Sequence, residues 1–134
     1  MVKTGSAIGL IDQIGNTPLL KLNQVFDNLD QKIFAKAEML NPGGSIKDRL
    51  AKSLIETAEE SGRIKPGSTV IEVTSGNTGI AVSWICAAKG YQAVLVMSDK
   101  NSKEKQDMIK EFFDKVGFRE RIILSSPLVR HSPS

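Results

Sequence analysis

The feature of this 134-residue chain that most restricts its fold is a switch of hydrophobic period, repeated from Gln31 onward, between short apolar runs and helical spacing. Lys32–Glu38 (KIFAKAE), Thr69–Val73 (TVIEV), Ala93–Met97 (AVLVM) and Arg121–Leu124 (RIIL) read as strands, and the β-branched Thr69–Val73 as an interior one. Between them lie three helical patterns. The first opens at Ser45-x-x-Asp48, which resembles a capping box, buries Leu50, Leu54, Ile55 and Ala58, and stops at Ser61-Gly62. A second starts near Gly76-Asn77-Thr78-Gly79, with Ile80, Ala81, Trp84, Ile85 and Ala88 on one side, and ends at Gly90. The third follows another capping pattern, Asn101-x-x-Glu104, and carries Met108, Ile109, Phe112, Phe113 and Val116 as far as Gly117. Strands alternating with helices predict an α/β fold: three layers, with a mostly parallel sheet and helices on both faces.

Outside this repeat, Thr17–Leu22 reads as a strand with Pro18 near its start, its partner left open by periodicity. Ser125–Ser134, with two prolines and four serines, reads as a loose tail. A chain of this length buries roughly two thirds of its unfolded surface, enough for one core without staples. Cys86 is the single cysteine, so no internal disulfide forms, and no Cys/His spacing suits a structural zinc. No apolar run suits a signal peptide or a membrane span, so the cytoplasm is expected. The net charge of +3 has no basic stripe behind it. From Lys100 to Arg121 the bases alternate with Glu104, Asp107, Glu111, Asp114 and Glu120, a solvated helical face rather than a nucleic-acid surface. Trp84 and Cys86 read as core packing, and His131, in the tail, has no partner for base chemistry.

Two glycine-rich turns sit where open α/β sheets bind ligands, between a strand's C-terminal end and a helix N-terminus. Their spare N–H groups and positive dipole end suit phosphate or carboxylate, although glycine and Asx residues also serve ordinary helix starts. Nucleotide motifs do not fit. Gly43-Gly44-Ser45-Ile46-Lys47 separates the lysine from the glycines as no Walker loop does, and Thr74-Ser75-Gly76-Asn77-Thr78-Gly79 has threonine where a dinucleotide fingerprint needs its first glycine. Lys47 lies in the first helical turn, where the dipole disfavours a cation. It reads either as a surface lysine leaning toward Asp48 or as a Schiff-base lysine, whose amine attacks an aldehyde in its neutral form.

Three motifs in register extend this reading: Ile14-Gly15-Asn16-Thr17-Pro18-Leu19, then Asn41-Pro42-Gly43-Gly44-Ser45-Ile46-Lys47-Asp48-Arg49, then Glu72-Val73-Thr74-Ser75-Gly76-Asn77-Thr78-Gly79-Ile80. Together they resemble the cysteine synthase and cystathionine β-synthase family, within the tryptophan-synthase-β-like pyridoxal-phosphate enzymes of fold type II. The resemblance implies pyridoxal 5'-phosphate as cofactor and β-replacement on an activated serine. Lys47 matches the lysine that holds the cofactor and then removes the Cα proton, with the pyridine ring as electron sink. Asn77 matches the residue that hydrogen-bonds the cofactor's phenolic oxygen. Thr74, Ser75, Gly76 and Thr78 match the loop that clasps the substrate carboxylate.

The likeness runs from Ile14 to about Phe112, and family members are considerably longer. No later Gly-Thr-Gly-Gly loop is present for the cofactor phosphate, nor a downstream hydroxyl for the pyridine nitrogen. The resemblance thus implies a shortened product: residues 1–40 from the family's large domain, 41–124 as the small cofactor-facing domain and 125–134 as tail. Its expected partners are an amino-acid substrate and further copies of the chain, through apolar surface that the large domain covers in the family. Three readings stand: cysteine synthase, cystathionine β-synthase, and a non-catalytic remnant or interaction module.

Overall fold

The computed structural model describes residues 9–22, 32–74, 76–98, 102–104, 106–107, 110–111 and 121–125. The apolar positions expected on the third helix, its start at Asn101 and its stop at Gly117 lie outside these residues, as does the tail beyond Ser125.

Strands β1 (Leu19–Lys21) and β2 (Phe34–Lys36) form an antiparallel pair in which Leu20 faces Ala35. Pro18 stands just ahead of β1, where its lack of an N–H costs the ladder nothing, and its carbonyl accepts from the Ala37 N–H at 2.9 Å. This pairing supplies the partner that periodicity left open. It also corrects the expected order, because the Lys32–Glu38 run belongs to this separate two-stranded sheet and not to the parallel one.

The chain then turns into helix α1 (Lys47–Glu60). Gly62, at φ +68°, lets the Arg63 N–H reach back to the Ala58 carbonyl and its own N–H to Glu59, a Schellman ending. Strand β3 (Thr69–Val73), helix α2 (Asn77–Lys89) and strand β4 (Gln92–Ser98) follow. Gly90, at φ +79°, closes α2 in the same way, with the Tyr91 N–H on the Cys86 carbonyl at 2.8 Å. Strand β5 (Arg121–Ser125) completes a parallel sheet of order β3-β4-β5.

Helix α2 is the centre of the core. It packs against α1 on one side and against β4 and β3 on the other, so Gly79 through Cys86 are buried all round the helix rather than along one stripe. Beyond this contact Ala88 is exposed, contrary to its expected place in the stripe. Trp84 and Cys86 lie in the core cluster, as their residue types predict. From β4, Ala93, Leu95 and Met97 turn inward.

The buried face of α1 matches the expected one at Ile55 and otherwise differs from it. Asp48, Ala51 and Ile55 face α2, while Leu50 and Leu54 are 44% and 52% exposed. Apolar spacing along α1 fits either stripe, and the small Ala51 is what allows the two helices to approach. Nor is β3 interior: among the described residues it pairs with β4 alone, at the sheet edge, with Ile71 65% and Val73 77% exposed. Register places these two beside Val94 and Val96, and Val96 beside the exposed Ile123, so one face of the sheet is an apolar surface.

This division sets the response to substitution. Ile85→Ala, at a site with no exposure, should cost about 2–5 kcal/mol in a urea titration, whereas Val73→Lys on the open face should change stability by less than about 0.5 kcal/mol.

Candidate active site

The two turns are held in place by a polar network in which the carboxylate of Glu38, in the single 3₁₀ turn Glu38–Leu40 after β2, is the hub. Its Oε2 accepts from Arg49 Nε at 2.8 Å and from Asn41 Nδ2 at 2.9 Å. Oε1 accepts from Arg49 Nη2 at 2.9 Å and from the Thr17 hydroxyl at 2.7 Å. The paired bonds from Arg49 are the bidentate geometry that gives guanidinium–carboxylate contacts their direction. Arg49 Nη2 continues to the Gly15 carbonyl at 2.9 Å, and Asn41 Oδ1 accepts from the Gly15 N–H at 2.8 Å. Gly15 has φ +89°, and a Cβ there would stand 2.8 Å from Arg49 Nη1, so both conformation and room require glycine. The first two motifs are therefore one structure.

Hydrogen bonds from Arg49, then from Thr17, hold the Glu38 carboxyl down at about 2, and the same bond pushes the Arg49 guanidinium up. At the far end of the helix pair, Lys89 Nζ and the Tyr91 hydroxyl donate to Glu59 at 2.7 and 2.8 Å. Lys89 chiefly lowers the Glu59 carboxyl, and Glu59 in turn raises the Tyr91 phenol.

From this anchor the chain makes its lysine turn. The Asn41 amide also donates to the Ser45 carbonyl at 3.1 Å, and the Gly44 N–H returns to Asn41 O at 2.8 Å. Lys47 is the first residue of α1, half-buried, with its backbone N–H on Ser45 Oγ at 3.2 Å. The expected reciprocal capping box does not form. The Asp48 carboxylate accepts instead from the Gly43 N–H at 2.5 Å and from Trp84 Nε1 at 3.0 Å.

The second turn starts where β3 ends. The Thr74 N–H extends the ladder to Val96 O at 2.9 Å, and its buried hydroxyl accepts from the N–H groups of Gly79 at 2.9 Å and Gly76 at 3.2 Å. A Cβ on Gly79 would stand 2.5 Å from Thr74 Cγ2 and 3.1 Å from Leu95 Cδ1, so glycine there is a demand of close packing. Asn77 opens α2 and is exposed, Thr78 is half-buried behind it, and Ser75 lies outside the described residues. Among the described residues, neither the Lys47 amine nor the N–H groups of Asn77 and Thr78 make a hydrogen bond. Two helices packed on each other thus begin with the Lys47 amine on one and the Asn77 amide on the other.

Reading the sequence found both helix starts but missed Glu38, taken as the end of a strand, and the task of Asp48, taken as a cap. The spacing from Glu38 to Arg49 follows no helical or strand period, so no local pattern points to that pair.

Comparison with known proteins agrees with the motifs. Residues 10–116 match the family described as "Pyridoxal-phosphate dependent enzyme". The chain belongs to that family. A cysteine synthase of Staphylococcus aureus (strain Mu50 / ATCC 700699) is 50% identical over 99 residues, covering 74% of this chain and 32% of that protein. A cystathionine beta-synthase of Dictyostelium discoideum is 48% identical over 101 residues, covering 75% of this chain and 20% of that protein. The crystal structure of an O-ureido-L-serine synthase superposes with a TM-score of 0.80 at 36% identity, over 96% of this chain and 38% of that one. This member of the pyridoxal-phosphate-dependent family thus spans about a third or less of the length of these curated relatives. Its fold is the α/β fold of type II. Among the described residues no helix is long and apolar enough to cross a membrane, and no group of residues could hold a metal ion.

The Glu38 network has a pH signature. A carboxyl whose folded value lies below the ordinary 4.5 adds stability that is complete above 4.5 and lost as pH falls toward 2. Thermal unfolding followed by circular dichroism should show the midpoint falling across that window, and Glu38→Gln should flatten the fall while lowering the midpoint at pH 7.

Proposed function

We propose that this chain carries the lysine-bearing part of a pyridoxal-phosphate site for β-replacement of the cysteine synthase type, which joins O-acetylserine and sulfide to give cysteine and acetate. The observation that carries the reading is the amine of Lys47, without a hydrogen bond among the described residues, at the start of α1, on a helix packed against the one that Asn77 opens. The donor set fits the cofactor: an amine for its aldehyde, a side-chain amide for its phenolic oxygen, and a glycine-shaped helix start for an anion. When bound, the cofactor supplies an electron sink for charge developing at the substrate Cα.

The residues of this chain take the following parts. Lys47 would hold the cofactor through its amine and would serve as the base for the Cα proton. Asn77 orients the ring through its amide. Thr74, Ser75, Gly76 and Thr78 form the carboxylate subsite. Within it Thr74 keeps the loop in shape through Gly76 and Gly79, while the N–H groups of Asn77 and Thr78 face the anion with the positive end of α2. In this reading residues 41–124 are the cofactor-facing unit and 1–40 the part that joins the rest of the family fold. The apolar sheet face around Ile71 and Val73 is where copies of the chain associate, and a single, buried cysteine, Cys86, suits a reducing cytoplasm.

The likeness to the Dictyostelium cystathionine beta-synthase favours a second reading, in which serine and homocysteine are joined at the same residues.

Borohydride reduction of the purified chain with pyridoxal phosphate, followed by peptide mapping, tests the site. A label on Lys47, abolished in Lys47→Ala, is expected. Absence of specific label, or a label elsewhere, would leave a binding module without the enzyme. Asn77→Ala should weaken cofactor affinity by roughly tenfold, the worth of one hydrogen bond to a charged group, as read from visible absorbance. Product analysis with each substrate pair, cysteine against cystathionine, separates the two enzymatic readings.

A further inference from the structure

Asp48 is fully buried, and the chemistry just described makes no use of it. Among the described residues no cation pairs with it, since its neighbour Arg49 is engaged by Glu38. Its two partners are both neutral donors, the Gly43 N–H at 2.5 Å and Trp84 Nε1 at 3.0 Å. A carboxylate in such a place is an expensive way to join two helices, and an apolar pair of equal volume holds them as well. What the carboxylate adds is direction.

We propose that Asp48 is the positioning residue that sets the Lys47 turn against the helix that Asn77 opens. This assignment rests on the reading of Lys47 as the cofactor lysine. Each end of the link lies close to one half of the site. Gly43 begins the Gly43-Gly44-Ser45 turn that delivers Lys47, and Trp84 lies two turns along α2 from Asn77. The carboxylate bonds both at once, so moving either one moves the other. Space is closed around the link as well: a Cβ on Gly43 would stand 2.5 Å from Trp84 Nε1 and 2.9 Å from Asp48 Cγ. Gly43 is needed here for contact, not for an unusual φ.

The donor count yields a discriminating variant. Because both partners donate, Asp48→Asn keeps the shape but offers one acceptor oxygen for two N–H groups, setting an NH₂ against the other. Trp84→Phe keeps an aromatic ring and removes one donor. Glu59→Gln is the control, because it weakens a tie between the same two helices at their far end, to Lys89 and Tyr91, without touching the lysine turn.

The experiment compares wild type, D48N, W84F and E59Q in three ways: cofactor affinity from visible absorbance, amide exchange at Gly43 and Gly79 in cofactor-free protein, and thermal midpoint. D48N and W84F are expected to weaken affinity by about tenfold or more and to speed exchange at both glycines, while E59Q lowers the midpoint and leaves affinity unchanged. The proposal is overturned if affinity in D48N and W84F equals that of wild type, or if E59Q reduces it as much as they do. Should wild type itself take no label at Lys47, the cofactor reading fails and the exchange arm decides the link alone. Faster exchange at both glycines in D48N then sustains it, and a change confined to Gly43 overturns it.

Discussion

The carboxylate of Glu38 is the constraint on which this structure turns. Four donors from three separate segments converge on its two oxygens. Thr17 brings in the segment ahead of β1, Asn41 the lysine turn and Arg49 the second residue position after Lys47. Arg49 and Asn41 pass the linkage on to the backbone of Gly15. Because these bonds involve charge and are geometrically directional, they fix orientation as well as proximity. A lysine at a helix start is a common thing; one whose preceding turn is held at both ends is a prepared group.

The second half of the site is built by a different force. Thr74 and Gly79 meet at a distance that leaves no room for a Cβ, and the packing of α2 against α1 and the parallel sheet holds them there. Dispersion and burial dominate, and the polar part is limited to the Thr74 hydroxyl shaping the turn. The two halves meet at Asp48, which belongs to the lysine helix by sequence and to the α2 contact by position. A site made of one electrostatic half and one packed half needs such a joint, since each half alone is indifferent to the orientation of the other.

The same architecture leaves one sheet face open, with Ile71, Val73 and Ile123 exposed beside Val94 and Val96. Continuous β-branched runs evolve where both faces of a sheet are covered. Their presence on an uncovered face accords with a chain that spans about a third of the S. aureus cysteine synthase it matches.

The sequence by itself determined the alternation of strands and helices, the two glycine-rich helix starts, the stops at Gly62 and Gly90, and the family, because each of these is written in local period, local turn chemistry or contiguous motif. Only the tertiary structure decided which stripe of α1 is buried, that Thr69–Val73 lies at an edge, that the KIFAKAE run pairs antiparallel with β1, and that Glu38 and Asp48 are structural hubs. The reason is physical. Periodicity reports that a side chain is apolar and on a given face, whereas burial depends on what arrives from elsewhere in the chain. Leu50 and Ala51 are equally good helix residues, and the approach of α2 chose the smaller one. Likewise, a carboxylate beside a lysine suggests a local pair, and it took the three-dimensional placement of Trp84, thirty-six residues away, to turn Asp48 inward.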